Sequence, residues 1–429
     1  MLTMQTQALD TTMPMLKRKR WTFATAFTGN AVYFSIIPFL ALFLADVLRL
    51  EAGAVGTVLA MRAFASQAFT LPGSLVGRLL GPRPTLALSS LLRAVAYFLL
   101  ANGHTEIMLI AAVLVIGVAS SITTGLSSAL VSGRERGLNV LAFANLATFR
   151  NAGEIIGFLV GGWLCPRYFE QICLAASLIY LITTASFLLI FKKGDLSLDD
   201  RRGKDDLPAG IRVFSRRFVA TCLGVAPYSV LVAQLYVVVP LFILSSQNRA
   251  DFLGLGLSIA ALVGVVAQAL FSMYGASIYL NKTVTSLSYL LMGFSFVLLP
   301  LCSYIGLSDW ISSVCCGAVL TFGTVFAYPS AMSHIRACSN GRDTGLYFGI
   351  YYTLASVLTA IVTKWLVGVG VHTAKEWVVY GALMLIALLG AVADWLLSSK
   401  ADVEKIAVPS LPATNALIHA STPVEMERS

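Results

Sequence analysis

Arg150 and Glu154 are the two residues of this chain best placed to do chemistry. They stand four apart in RNAGEIIGFLVGG, residues 150–162, a stretch apolar enough to lie inside a bilayer. Side chains at i and i+4 share a helix face, so each can partly neutralise the other where a lone charge costs at least ~2.5 kcal/mol. Charges kept at that depth mark ion or substrate pathways. Glu154 is the one carboxylate deep within an apolar segment, which makes it the candidate carrier of a coupling proton, with Arg150 as its charge partner. Asn151 adds a polar group beside them. Gly153, Gly157 and Gly161, with Gly162 behind them, line a face that another backbone can approach closely. That ridge has two readings, ordinary helix packing or a gate.

Arg62 and Arg93 also fall inside apolar segments, whereas Lys364 and Asp394 lie within about a turn of a segment end and are expected to snorkel to the interface. The interior arginines then exceed the carboxylates, and an anionic substrate is one natural partner. The competing reading has Arg62 or Arg93 bonding helix carbonyls. Tyr33, Tyr236 and Tyr328, with Gln67 and Gln234, are candidates for a central cavity, although aromatic residues serve equally well as core filler. Ser120, Ser121, Thr123, Thr124, Ser127 and Ser128 crowd one segment, either as a face toward water or as hydroxyls bonded one turn back. Seven cysteines show no metal-ligand spacing and read as small hydrophobes. The four histidines sit at segment ends, in loops or in the tail, so neither a zinc site nor a mid-membrane imidazole relay is expected. No cofactor is called for.

The elements that must position these residues are membrane spans. With 57% hydrophobic and only 12% charged residues in 429, the chain has about half the charge of a soluble domain. Its net charge of +9 resides in short basic runs between apolar segments, which is the orientation signal of a membrane protein and not a nucleic-acid surface. After Lys17, Arg18, Lys19 and Arg20, an apolar run from Trp21 is too long for a signal peptide and reads as an uncleaved first span. Hydropathy places further spans near 52–72, 85–102, 106–130, 138–164 and 168–191. A charged, Gly- and Pro-containing linker over 192–217 separates them from six more, near 218–245, 252–273, 283–303, 308–332, 346–368 and 374–397. The expected organisation is an N-terminal segment 1–20, a six-helix bundle 21–191, the linker, a second bundle 218–397 and a disordered polar tail 398–429.

Twelve spans put both termini on one side. Outside the spans, only Arg49, Arg167, Arg249 and Lys375 lie on the other side, so the termini and linker are expected to be cytoplasmic. The halves also repeat. AVYFSIIPFL from Ala31 matches AQLYVVVPLF from Ala233, setting Pro38 on Pro240, and the same offset sets Gly73 on Gly275 and Arg134 on Arg336.

The loop after span two, GSLVGRLLGPRPTL from Gly73, resembles the G-x-x-x-D-R-x-G-R loop of the major facilitator superfamily, and the likeness extends over residues 20–397. Gly73 and Arg78 match, Arg83 stands for a later basic residue, and Gly77 replaces the usual acid. The resemblance implies that this loop latches the two halves through charge contacts. RNAGEIIGFLVGG resembles the fifth-helix G-x-x-x-G-P-x-x-G-G motif of family exporters, with Phe158 in place of the proline; the resemblance implies that its ridge packs against the other half. Span four lacks the arginine of many proton-coupled drug exporters. The fold implied is all-α, twelve transmembrane helices in two pseudo-symmetric halves. The function implied is secondary transport of a small organic solute across the cytoplasmic (inner) membrane by alternating access, by export of a drug-like compound or an anionic metabolite such as a siderophore, with protons as candidate coupling ion. An importer of a sugar, organic acid or peptide is the alternative. An enzyme or receptor is disfavoured, because no catalytic constellation stands near a span end.

Overall fold

A computed structural model describes residues 2–42, 61, 64–103, 105–132, 136–189, 215–239, 242, 251–339, 344–369 and 376–402. Arg62, Arg134, Pro240, the linker up to residue 214 and the tail beyond 402 lie outside the described residues. The described elements are helices, as a bilayer demands of a chain that is not a closed barrel: each backbone N–H and C=O must find its partner within the segment.

Span one, Arg20–Leu40, is the apolar part of a longer helix, Leu2–Leu42. Span two comprises residues 64–68 and the helix Thr70–Leu80, with Phe69 as a turn between them. Spans three and four are Pro82–Asn102 and Glu106–Val131. Spans five and six run without a loop through Arg136–Leu189, broken where Tyr168 leaves helical geometry (φ −133°, ψ 38°). The second half holds span seven, Arg216–Leu235, span eight, Asp251–Ser272, and, after a short helix Ala276–Leu280, spans nine to twelve: Lys282–Tyr304, Asp309–Cys338, Thr344–Val369 and Glu376–Asp402. Ten of these helices are long and apolar enough to cross a membrane.

The halves pack alike. Span three lies against four and six, and its counterpart nine against ten and twelve; across the interface span two meets eleven, and span eight meets five. The expected loop at residues 73–86 is mostly helix. Only Gly81 leaves helical geometry, at φ +88°, which glycine adopts without steric cost, and Pro82 then starts span three with the φ that a first helical turn needs. Large apolar residues such as Phe98, Ile182, Leu189 and Leu389 stay exposed on the outside of the bundle, a surface suited to lipid tails.

Candidate functional site

A cavity of about 170 Å³ opens between the halves. Span five supplies Arg150, Asn151 and Glu154, span seven and the turn after it Tyr228 and Tyr236, and span ten Thr321, Thr324 and Tyr328. Three of the tyrosines and glutamines expected there do not reach it. Gln234 is fully buried and donates to Thr363 Oγ1 (2.9 Å) and the Val230 carbonyl (3.3 Å), facing span eleven. Tyr33 meets Phe34 edge-on, with ring centroids 5.0 Å apart, where two core clusters join. Gln67 is half-buried just before the break in span two, its Oε1 without a hydrogen-bond partner among the described residues.

The pairing expected of Arg150 with Glu154 is not made. Arg150 donates from Nη1 to the Tyr328 hydroxyl (3.0 Å) and from Nη2 to Ser127 Oγ (3.2 Å), and its guanidinium lies 5.9 Å from the centre of the Tyr328 ring. Glu154 accepts from Asn30 Nδ2 (3.2 Å) and from the Tyr236 hydroxyl (3.4 Å). The order of the two explains the separation. Helical side chains lean toward the N-terminus, so an arginine that precedes the acid leans away from it, the less favourable orientation for an i, i+4 pair. Each charge is therefore held by neutral groups from both halves: Ser127 and Asn30 from the first, Tyr328 and Tyr236 from the second.

Arg93 has the structural role that was its competing reading. It donates to the Ala119 carbonyl (3.4 Å) and the Tyr180 hydroxyl (3.5 Å) and lies over the Tyr180 ring, inside the first half. Of the interior arginines, the cavity contains Arg150, opposed by Glu154, and the surplus positive charge expected for an anionic substrate is absent from its walls as described. Span four's hydroxyls are mostly helix glue: Ser120, Thr123 and Thr124 each bond the carbonyl four residues back, and Ser121 reaches Ala65 of span two.

The glycine ridge packs within its own half, not across to the other. A Cβ on Gly157 would lie 2.6 Å from the Ala31 carbonyl oxygen, one on Gly153 would strike the Phe27 carbonyl oxygen, and one on Gly161 would meet Ser35 and Phe39, all of span one. Gly162 is half-buried. The charged side chains occupy the face toward the cavity, which leaves the glycine face to span one. Phe158, where family exporters have proline, is buried against Phe34 with ring centroids 5.0 Å apart and lines the cavity.

Of the latch residues, Arg83 differs from expectation. Gly73 and Gly77 lie inside a helix against span four, where added Cβ atoms would come within 2.7 Å of Ile122 Cγ1 and Leu126 Cδ2. An acid at position 77 would have to displace the Leu126 side chain. Arg83 donates to the carbonyls of Phe187 (3.2 Å) and Leu188, capping span six of its own half, and Arg78 is half-buried on the span-two helix.

Asp394 does not snorkel. It is 1% exposed and accepts from Thr285 Oγ1 (2.5 Å), Ser330 Oγ (3.3 Å) and Ser286 Oγ (3.5 Å), with Nε2 of buried His334 at 3.5 Å. Four residues of spans nine and ten thus meet one of span twelve, a convergence that no local pattern announces. Asn30, a lone amide in an apolar span, was the other missed partner.

The sequence model of the Major Facilitator Superfamily matches residues 22–363. The chain belongs to the Major Facilitator Superfamily. It is similar to the multidrug resistance protein MdtH of Escherichia coli O157:H7, 21% identical over 381 residues that cover 87% of this chain and 92% of that protein. It is also similar to the uncharacterized MFS-type transporter Rv0849 of Mycobacterium tuberculosis, 23% identical over 384 residues that cover 84% and 88%. Among solved structures it resembles the POT family transporter PepTSo, at a TM-score of 0.62 and 14% identity over 91% of this chain and 99% of that one. An auto-inhibited POT family peptide transporter aligns at a TM-score of 0.64 and 13% identity over 92% and 99%. At such identity these structures speak for the fold alone. This superfamily member is a multi-pass membrane transporter, and the two charged groups of its cavity, Arg150 and Glu154, are held from both halves.

Proposed function

We propose that this transporter exports a small, drug-like organic solute across the cytoplasmic membrane by alternating access, in exchange for protons carried by Glu154. The observation that carries the reading is the bridging of Glu154 between Asn30 of the first half and Tyr236 of the second. An ionised carboxylate accepts from both donors, whereas a protonated one gives up part of that acceptor capacity. Gain or loss of one proton therefore changes a tie between the two bodies whose relative movement exposes the cavity to each side. Arg150, bonded to Tyr328 and Ser127, holds the neighbouring tie. Export is supported by the likeness to a multidrug resistance protein. An amphipathic solute suits walls of tyrosine, threonine and phenylalanine with one charge of each sign. The two bundles at 21–191 and 218–397 are the moving bodies, with linker and termini on the cytoplasmic side.

Direction is tested in inverted vesicles, whose interior corresponds to the cell exterior. With the interior made acidic, an amphipathic fluorescent dye should accumulate inside, and collapse of the pH gradient should release it. Accumulation only in right-side-out vesicles with an acidic exterior would establish import instead.

A further inference from the structure

Pro72 interrupts span two. A proline inside a helix has no N–H for the carbonyl four residues back, here Ala68, and its ring pushes that carbonyl aside. The chain is helical over 64–68, turns at Phe69 (φ −88°, ψ 11°) and resumes at Thr70. The bend also separates the Leu71 N–H from Gln67, whose carbonyl takes the Thr70 hydroxyl instead (2.7 Å). A donor and an acceptor are thus freed inside the membrane, where each needs another partner.

One side chain from the other half supplies both. Thr353 of span eleven donates its Oγ1 proton to the Ala68 carbonyl (3.0 Å), and the same oxygen accepts from the Leu71 N–H (3.2 Å). Threonine hydroxyls within helices ordinarily bond a carbonyl of the preceding turn, as Thr124, Thr148, Thr183 and Thr184 do here. Thr353 departs from that habit to complete a different helix. Gly349, one turn before it, permits the approach, since a Cβ there would lie 2.7 Å from Ser74 Oγ and 3.0 Å from Leu71 Cα. Thr353 lies nine residues after span eleven begins at Thr344, and Leu71 nine residues before span two finishes at Leu80, so the contact lies toward the end shared by these two helix termini, which the topology proposed above makes the terminus-bearing one.

We propose that Thr353 is a positioning residue of the access cycle: its hydroxyl completes the proline-broken span two only while the halves are closed at this end, and so holds that end shut. The inference rests on the alternating-access reading above. When the halves part, span eleven withdraws, and the Ala68 carbonyl and Leu71 N–H must wait for water. Pro72 cannot replace the lost donor. The pair therefore biases the resting protein toward closure at the terminus-bearing end, and a solute has to overcome that bias.

The test uses the full-length protein in nanodiscs. Spin labels, introduced as unnatural amino acids so that the native cysteines stay, replace Leu79 and Met273, which are 82% and 83% exposed at this end of the first and second halves. Pulsed distance measurement then gives the ratio of separated to closed molecules. Thr353→Val, similar in shape but without the hydroxyl, should raise that ratio about tenfold, the order expected for a pair of lost hydrogen bonds partly regained from water. Thr353→Ser should leave it near the unmutated value. Pro72→Ala restores an N–H for Ala68, so in that background Thr353→Val should change the ratio by less than about threefold. Thr353→Ala provides the same comparison where the valine variant does not accumulate. An equal effect of Thr353→Val with and without Pro72, or a serine variant as open as the valine one, would make Thr353 a mere packing residue. Two distances with an unchanged ratio in Thr353→Val overturn the clamp alone, whereas a single distance in every variant overturns both the clamp and the alternating-access reading.

Discussion

Glu154→Gln separates the proton-carrying role of this residue from a structural one. Glutamine has nearly the same shape, retains one oxygen for Asn30 Nδ2 and replaces the other with an NH₂ that can donate to the Tyr236 hydroxyl. The lost interactions are long, at 3.2 and 3.4 Å, and a hydrogen bond to a charged group contributes about 1.5–3 kcal/mol at good geometry. The folding cost should therefore stay at or below about 2 kcal/mol, too little to prevent insertion. Arg150 loses no direct contact, because its partners are Tyr328 and Ser127. Coupling, by contrast, should vanish. One proton exchanged per solute across one pH unit supplies about 1.4 kcal/mol, a tenfold steady-state concentration ratio. In inverted vesicles with an imposed gradient of that size, the unmutated protein should approach that ratio for an amphipathic dye, whereas Glu154→Gln should reach only equality. Counterflow exchange without a gradient should persist in the variant. Full gradient-driven accumulation by Glu154→Gln would refute the role. A variant that fails to accumulate in the membrane, rescued by adding Arg150→Met, would show instead that Glu154 serves to neutralise Arg150.

Reporters fused in the linker near Asp200 and in the tail near Ala413 should report the cytoplasm, and one near His104 the exterior, because the basic residues outside the spans lie almost entirely on the terminus-bearing side. An external signal from the linker would contradict two halves of six spans each. Gly157→Leu should insert normally, since insertion follows hydropathy. Its side chain has to occupy space only 2.6 Å from the Ala31 carbonyl oxygen, so overpacking should cost about 1–3 kcal/mol and lower the unfolding temperature and the transport rate together. Unchanged melting and transport at equal expression would make the close approach to span one incidental.

Twelve spans, two halves and two opposite charges on one face of span five were legible in the sequence because each depends on local composition or spacing. A bilayer converts runs of apolar residues into helices almost regardless of their neighbours, so hydropathy alone locates spans three, four and nine to within a few residues of their described limits. The same holds for Gly153, Gly157 and Gly161, whose periodicity ensures a close contact with some helix.

Which helix each face meets was a different matter, because it depends on how the halves are assembled. Periodicity places Arg150 and Glu154 on one face but does not reveal that Tyr328 and Tyr236, from another half of the chain, outcompete each as the other's partner. It marks the ridge of span five but not its seat on span one. Asp394 looked like a residue near a span end until Thr285, Ser286, Ser330 and His334 enclosed it. Pro72 was visible as a proline in an apolar run, but only the packing of span eleven showed that Thr353, far along the chain, supplies what the proline withholds. In a membrane the sequence by itself determines where backbone bonds are satisfied and where they are broken, since no water is there to offer an alternative; the partners of the leftover polar groups are decided by tertiary contact, since hydrogen bonds are short and only folding brings distant residues within reach.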